Sequence, residues 1–207
     1  MDFDVNSHYY SDYCRELSGA LDSVNATNSS GEGLGIETAF AQLCELSAQV
    51  KREGRYQFLC GNGASAAFAN HMALDWTKNA GVPSLSFSDS ALLTAMGNDL
   101  GYEHAFSAPL GWYSKRGDLL VTISSSGNSP NILRTIDTAR SCGLRVVTFS
   151  GLSPDNQSRI MGDLNIYVPS RTYGIAESAH QVLLHIWLDR FLGISYSRGI
   201  DGQSQTK

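Results

Sequence analysis

Two short stripes of titratable residues mark this chain. His71 and Asp75 lie four residues apart in a segment of helical patterning, and Glu177, Gln181 and His185 repeat that interval in another. Side chains four apart on a helix emerge on one face, about one turn from each other. A histidine and a carboxylate presented this way suit a divalent cation. Two such stripes facing each other would supply His71, Asp75, Glu177 and His185 as ligands. Spacing alone leaves a second reading open, because His185 sits in the apolar run Val182-Leu183-Leu184-His185-Ile186-Trp187, where a histidine can be a hydrogen-bonded core residue. His180, on the neighbouring face, is the alternative functional histidine. His8 and His104 carry no pattern and read as surface or loop residues.

Two loops of small polar residues carry a different chemistry. Gly61-Asn62-Gly63-Ala64-Ser65 follows the strand-like run 56–60, and Ser124-Ser125-Ser126-Gly127-Asn128-Ser129 follows Leu119-Leu120-Val121-Thr122-Ile123. Each opens a helix-like segment, so unpaired backbone N–H groups and serine hydroxyls would converge on an anion. Ser129-Pro130 also makes a good helix start, but four serines exceed what one cap needs. No Gly-x-Ser-x-Gly elbow is present to raise one serine as a nucleophile. The first loop also fits a relaxed dinucleotide fingerprint, with Asp89 as the ribose acid, although that reading leaves the serine loop and the last helix unused. Asp99, in Asn98-Asp99-Leu100-Gly101-Tyr102, is either a partner for sugar hydroxyls or part of a polar helix end.

These residues need a frame. From residue 56 the pattern alternates, predicting strands at 56–60, 84–87, 118–123, 145–150 and 164–168. Helices are expected near 65–79, 89–97, 130–142, 155–161 and 175–192. Strands alternating with helices imply an α/β fold, a doubly wound parallel sheet of five strands covered on both faces, with the polar loops at the strands' carboxyl ends. Ahead of it, Tyr10, Cys14, Leu17, Leu21 and Val24, then Ile36, Phe40, Leu43, Leu46 and Val50, recur at helical spacing around a Ser/Asn/Gly-rich break at 25–35. This predicts an N-terminal helical hairpin with a polar linker. The division expected is 1–35 for the first helix and linker, 36–195 for the main domain and 196–207 for a flexible tail.

The 207 residues carry a formal net charge of -5 without a basic stripe, which speaks against a general nucleic-acid or membrane-surface binder. No apolar run approaches a membrane span, and Met1-Asp2-Phe3-Asp4 lacks the basic start of a secretion signal, so a cytoplasmic protein is expected. The four cysteines are far apart in apolar patterns and read as reduced, buried thiols.

Taken in order, Cys60-Gly61-Asn62-Gly63-Ala64-Ser65, His71 to Asp75, Ser88-Asp89, Asn98-Asp99-Leu100-Gly101-Tyr102, Gly117-Asp118-Leu119-Leu120, Ile123 to Ser129 and His180 to His185 resemble the sugar isomerase (SIS) domain family, in its phosphoheptose isomerase type. The resemblance implies a flavodoxin-like sandwich that assembles as a homotetramer. It implies a phosphorylated sugar held by Asn62, Ser65, Ser124, Ser125, Ser126 and Ser129. It places the family's catalytic Glu on Asp75, its catalytic His on His185, and a Gln eight residues earlier on Glu177, with zinc bound by His71, Asp75, Glu177 and His185. The expected reaction is aldose-ketose isomerisation of sedoheptulose 7-phosphate to a heptose 7-phosphate through an enediol, with Asp75 or Glu177 as base and His185 as its acid/base partner. The chain departs from the family in four places: Asp75 for Glu, Glu177 for Gln, Gly174 for an aspartate, and no arginine near Asn79. A non-catalytic SIS module that binds a phosphosugar or a protein partner is the other reading of those departures.

Overall fold

The computed structural model describes residues 7–196. The expected tail from residue 197 onward lies outside them, as does the Met1–Asp4 start. In chain order the elements are α1 (Tyr9–Asp22), β1 (Asn25–Asn28), β2 (Gly33–Leu34), α2 (Ile36–Arg52), β3 (Gln57–Gly61), α3 (Ala64–Asp75), β4 (Ser84–Ser86), α4 (Ser90–Asp99), α5 (Ser107–Tyr113), β5 (Leu119–Ser124), α6 (Pro130–Cys142), β6 (Arg145–Gly151), β7 (Leu164–Val168) and α7 (Tyr173–Phe191). They build one sheet in the order β2-β1-β7-β6-β5-β3-β4. The five strands from β3 to β7 are parallel, as the alternation predicted. The chain reverses direction across the sheet between β3 and β5, and this switch point opens the crevice where doubly wound sheets hold ligands.

Alternate strand residues feed two cores, because successive side chains point to opposite faces. Leu59, Leu119, Val121, Ile123, Val147 and Phe149 face one side, together with buried residues of α2, α3 and α7. Phe58, Cys60, Leu120 and Val146 face the other, with Phe106 just before α5, Leu110 of α5, and Ile132 and Ile136 of α6. On the first side Trp76 and Trp187, both fully buried, meet edge-on with ring centroids 5.0 Å apart, and Phe191 lies 5.0 Å from Trp76. This aromatic cluster clamps α3 to α7. After Asp75 the helix widens into a π-type turn at Trp76–Ala80, and Gly81 ends it at φ 65°.

The segment 25–35 is not a plain linker. β1 pairs antiparallel with β7 and with β2, extending the sheet to seven strands. Its sequence, Asn25-Ala26-Thr27-Asn28, has no apolar alternation to announce a strand. A buried residue of β7, Asn165, supplies the register: its amide nitrogen reaches the carbonyls of Thr27 and Asn28 at 3.4 Å, and its oxygen accepts from Thr148 Oγ1 at 2.8 Å. The expected helical hairpin is therefore two helices joined by a β-hairpin, each packed on α7. α5 was also unforeseen, since Pro109 and Gly111 interrupt its pattern. The cysteines need a correction too: all four thiols are free, but only Cys60 is buried and Cys14 is exposed.

Candidate active site

The clamp between α3 and α7 brings the two stripes together. His71 Nε2 lies 3.3 Å from Asp75 Oδ2, one turn along α3, and the His71 and His185 rings are 5.4 Å apart between centroids. One donor atom from each of His71, Asp75 and His185 falls within 4.8 Å of the others. Glu177, expected as a fourth member, stands apart from them; its side chain lines a pocket with Tyr173 two helical turns before His185. The residue beside His185 is Gln181, whose Nε2 is 2.6 Å from His185 Nε2 while its Oε1 is buried without a partner.

The pocket that Glu177 lines is formed by the two polar loops. Asn62, Ser65, Ser124, Ser125, Ser126 and Ser129 surround a cavity of about 100 Å³ at the carboxyl ends of β3 and β5. A Cβ on Gly61 would lie 2.6 Å from Ser65 Cβ, so only glycine lets the first loop fold tightly onto the start of α3, and Gly63 turns at φ 56°. Ser129 caps α6 by position alone, for its side chain makes no cap hydrogen bond, and Ser125 Oγ is buried without a partner. Hydroxyls left free beside a helix start are available to an anion. Ser124 and Ser126 hold the loop itself, accepting from the N–H groups of Gly127 at 3.2 Å and Asn128 at 3.3 Å.

Asp99 is exposed at the end of α4, bound to the Asn98 amide at 2.7 Å, and lines neither cluster within this chain. Asp89 caps α4, its Oδ1 accepting from Leu92 N–H at 3.0 Å, which gives it a structural role at the helix start. His180 is fully buried: Nε2 is 3.0 Å from the Ser150 carbonyl, and desolvation pushes its pKa down to about 4. It is a neutral core histidine, and the histidine that joins His71 and Asp75 is His185. Burial pushes the Cys60 thiol up to about 12, which leaves it inert despite its place just before the first loop.

Two contacts escaped sequence reading. Asn131 of α6 exchanges amide hydrogen bonds with Asn62, which also accepts from Tyr102 Oη at 3.1 Å, so the first loop is tied to the helix behind the serines. Gly174, where the family carries an aspartate, makes room for α1: a Cβ there would lie 3.2 Å from Tyr13 Oη, which meets Ser178 Oγ at 3.3 Å.

Fold and site together define a doubly wound protein with a serine-lined pocket at the switch point and a His/Asp/His cluster shared between α3 and α7. Residues 12–151 match the SIS domain. The phosphoheptose isomerase of Aneurinibacillus thermoaerophilus is 36% identical over 151 residues, covering 70% of this chain and 76% of that one. That of Campylobacter concisus is 34% identical over 148 residues, covering 69% and 78%. The solved phosphoheptose isomerase from Neisseria gonorrhoeae superposes with a TM-score of 0.76 at 27% identity, covering 88% of this chain and 95% of that one. The chain belongs to the SIS domain family, and within it to the phosphoheptose isomerase type.

Proposed function

We propose that the chain is an aldose-ketose isomerase that converts sedoheptulose 7-phosphate into D-glycero-D-manno-heptose 7-phosphate. The observation that carries this reading is the arrangement along α7, which joins the serine pocket at Glu177 to the His/Asp/His cluster at His185. Eight residues of helix separate them by about 12 Å, a span suited to an extended open-chain sugar phosphate. The phosphate docks on the Ser124–Ser129 hydroxyls and loop N–H groups, which fixes the far end of the substrate and lowers the entropic cost of alignment.

At the other end, Asp75 accepts the proton from C1 of the ketose and an enediol forms. The same proton equivalent then returns to C2, which gives the aldose. His185 moves the hydroxyl proton between O1 and O2, so neither oxygen carries a full charge. Asp75 suits the base because it lies beside both histidines, whereas Glu177 borders the sugar next to the phosphate. The cluster also suits zinc: two imidazoles and a carboxylate converge, next to the unpartnered buried Gln181 Oε1. His71, Asp75 and His185 would hold the ion, which supplies polarisation of the substrate carbonyl when bound.

The outer faces of α3 and α7 leave Leu74, Val182 and Ile186 exposed near this cluster, which supports assembly into a homotetramer with sites close to subunit boundaries. Four free thiols suit the cytoplasm. Turnover of sedoheptulose 7-phosphate in deuterated water, with label uptake at C2 of the product, tests the reaction. Loss of turnover in His185→Ala and Asp75→Asn supports the assignment. A folded, inactive wild-type chain that still binds the sugar phosphate would favour a non-catalytic module.

A further inference from the structure

We propose that the surface at the amino ends of β3 and β5, formed by Tyr56, Trp112 and Tyr113 together with Arg55, Lys115 and Arg116, is a docking site for an acidic segment of another protein.

The aromatic part is anchored from below. Trp112 and Tyr113, on the last turn of α5, are 61% and 63% exposed, and Tyr56, just before β3, is 43% exposed. Tyr113 stacks on Phe87 with ring centroids 6.1 Å apart, Phe87 stacks on Phe58 at 5.5 Å, and Phe58 meets Tyr56 at 6.0 Å. The ladder joins the two exposed tyrosines through the core and holds their rings in place. Rings already held cost little further entropy on binding, and grouped apolar surface left to solvent marks an interaction site.

The cationic part adjoins it. Gly117 N–H donates to the Gly143 carbonyl at 3.2 Å, and an added Cβ would lie 3.6 Å from Arg55 Nε at Gly117 and 3.3 Å from Arg116 Nε at Gly143. Two bare turns thus bring the arginines to one place, with Lys115 beside them in the chain. Lys115 and Arg116 are exposed and, among the described residues, have no ion-pair partner, while Arg55 Nε is buried without a hydrogen bond. Glu53, which borders Gly117, accepts from the Gln49 amide at 2.8 Å. Lys51, Arg52 and Arg140 sit in the last turns of helices, where a cation offsets the helix dipole. Arg55, Lys115 and Arg116 lie outside any helix, so that account does not reach them.

Tryptophan, tyrosine and arginine are the residues that concentrate binding energy at protein interfaces, and the unpaired cations select carboxylates on the other side. A second copy of this chain is disfavoured, because a two-fold contact sets Lys115 and Arg116 against themselves. A nucleic acid is disfavoured too, since these few cations on a chain of net charge -5 make a short track for phosphates. The six residues of β5 put about 20 Å between this surface and the serine pocket, so a docked partner leaves the pocket open.

The test titrates the full-length chain with a labelled peptide of interleaved glutamate, leucine and phenylalanine, and with its glutamine-for-glutamate counterpart, reading anisotropy. Trp76 and Trp187 are fully buried, so acrylamide quenching with the unlabelled peptides reports Trp112. The acidic peptide is expected to bind, to shield Trp112 and to weaken as salt is raised, with the glutamine peptide at least about tenfold weaker. The double variant Lys115→Glu, Arg116→Glu and the single variant Trp112→Ala should each weaken the acidic peptide by about tenfold, with melting temperatures as in the wild type. Equal binding of the two peptides, no binding by the wild type, or undiminished binding by both variants would overturn the proposal. Tighter binding of a single-stranded oligonucleotide than of the acidic peptide at the same salt would overturn it in favour of a nucleic acid. Self-association that Trp112→Ala abolishes would overturn it in favour of a second copy.

Discussion

The side-chain amides of Asn62 and Asn131 face each other and exchange two hydrogen bonds, of 2.9 Å and 2.8 Å, across the switch point of the sheet. Asn131 is buried on the first turn of α6, and Asn62 belongs to the loop after β3. The pair therefore fixes the separation of the two loops that form the anion pocket. Replacing Asn131 by leucine leaves the Asn62 amide with only Tyr102, so about 1–3 kcal/mol of stability is expected to be lost. KM for the sugar phosphate should rise severalfold, with kcat changing less, because the cluster at His185 is untouched. Denaturant melts and steady-state kinetics on Asn131→Leu check this; an unchanged KM would mean that the loops hold their spacing without the pair.

The serine loop is braced from behind as well. Gly127 turns at φ 64°, and a Cβ there would lie 2.7 Å from the Cβ of buried Asn156 and closer still to its amide. Asn156 in turn donates to the carbonyl of Ser153 at 2.8 Å and accepts from Arg159 N–H at 3.1 Å, while Ser158 N–H meets the Gly127 carbonyl at 2.9 Å. Gly127→Ala must pay roughly 1–2 kcal/mol for the left-handed backbone and displace Asn156 besides. The expected result is a lower melting temperature and weakened binding of inorganic phosphate, measured as inhibition of turnover.

Asp75 is tested by two substitutions of opposite sense. Asp75→Asn keeps the shape but removes the base, and the rate should fall by about 10²–10⁴ with the melting temperature nearly unchanged. Asp75→Glu lengthens the arm by one methylene into a partly exposed site, where the side chain is 21% exposed, and should retain turnover. Equal activity in the wild type and Asp75→Asn would move the role of base to another group.

Most of this frame was legible because periodicity reports burial: the five parallel strands and the helices bearing His71 and His185 follow from apolar spacing. The hairpin of β1 and β2 was not, because its register comes from Asn165 of β7, a partner far along the chain. At the site, i, i+4 spacing paired His71 with Asp75 and put His185 on a second helical stripe, and the fold brings the two helices face to face. It also put Glu177 into the group, whereas the α7 residue beside His185 is Gln181. Both lie on the His185 stripe, and only the position of the serine pocket beside the first turns of α7 draws Glu177 away. Cys14 looked buried for a related reason, since α1 lies on the outside of α7 and covers it with one stripe, leaving the rest of its surface to solvent.

His180 gives the fold a pH dependence of definite sign. Burial lowers its pKa to about 4, against 6.5 for an unperturbed imidazole, and only the neutral ring fits against Phe149 and the Ser150 carbonyl. Between those two values the unfolded chain holds a proton that the folded chain refuses. The contribution is thus fully present above pH 6.5 and is lost as the pH falls toward 4. At 1.36 kcal/mol per unit of pKa difference, the loss is roughly 3 kcal/mol. Urea melts across that range should show a slope flatter by one proton in His180→Leu than in the wild type. Parallel slopes in the two proteins would mean that the folded chain admits the charged ring.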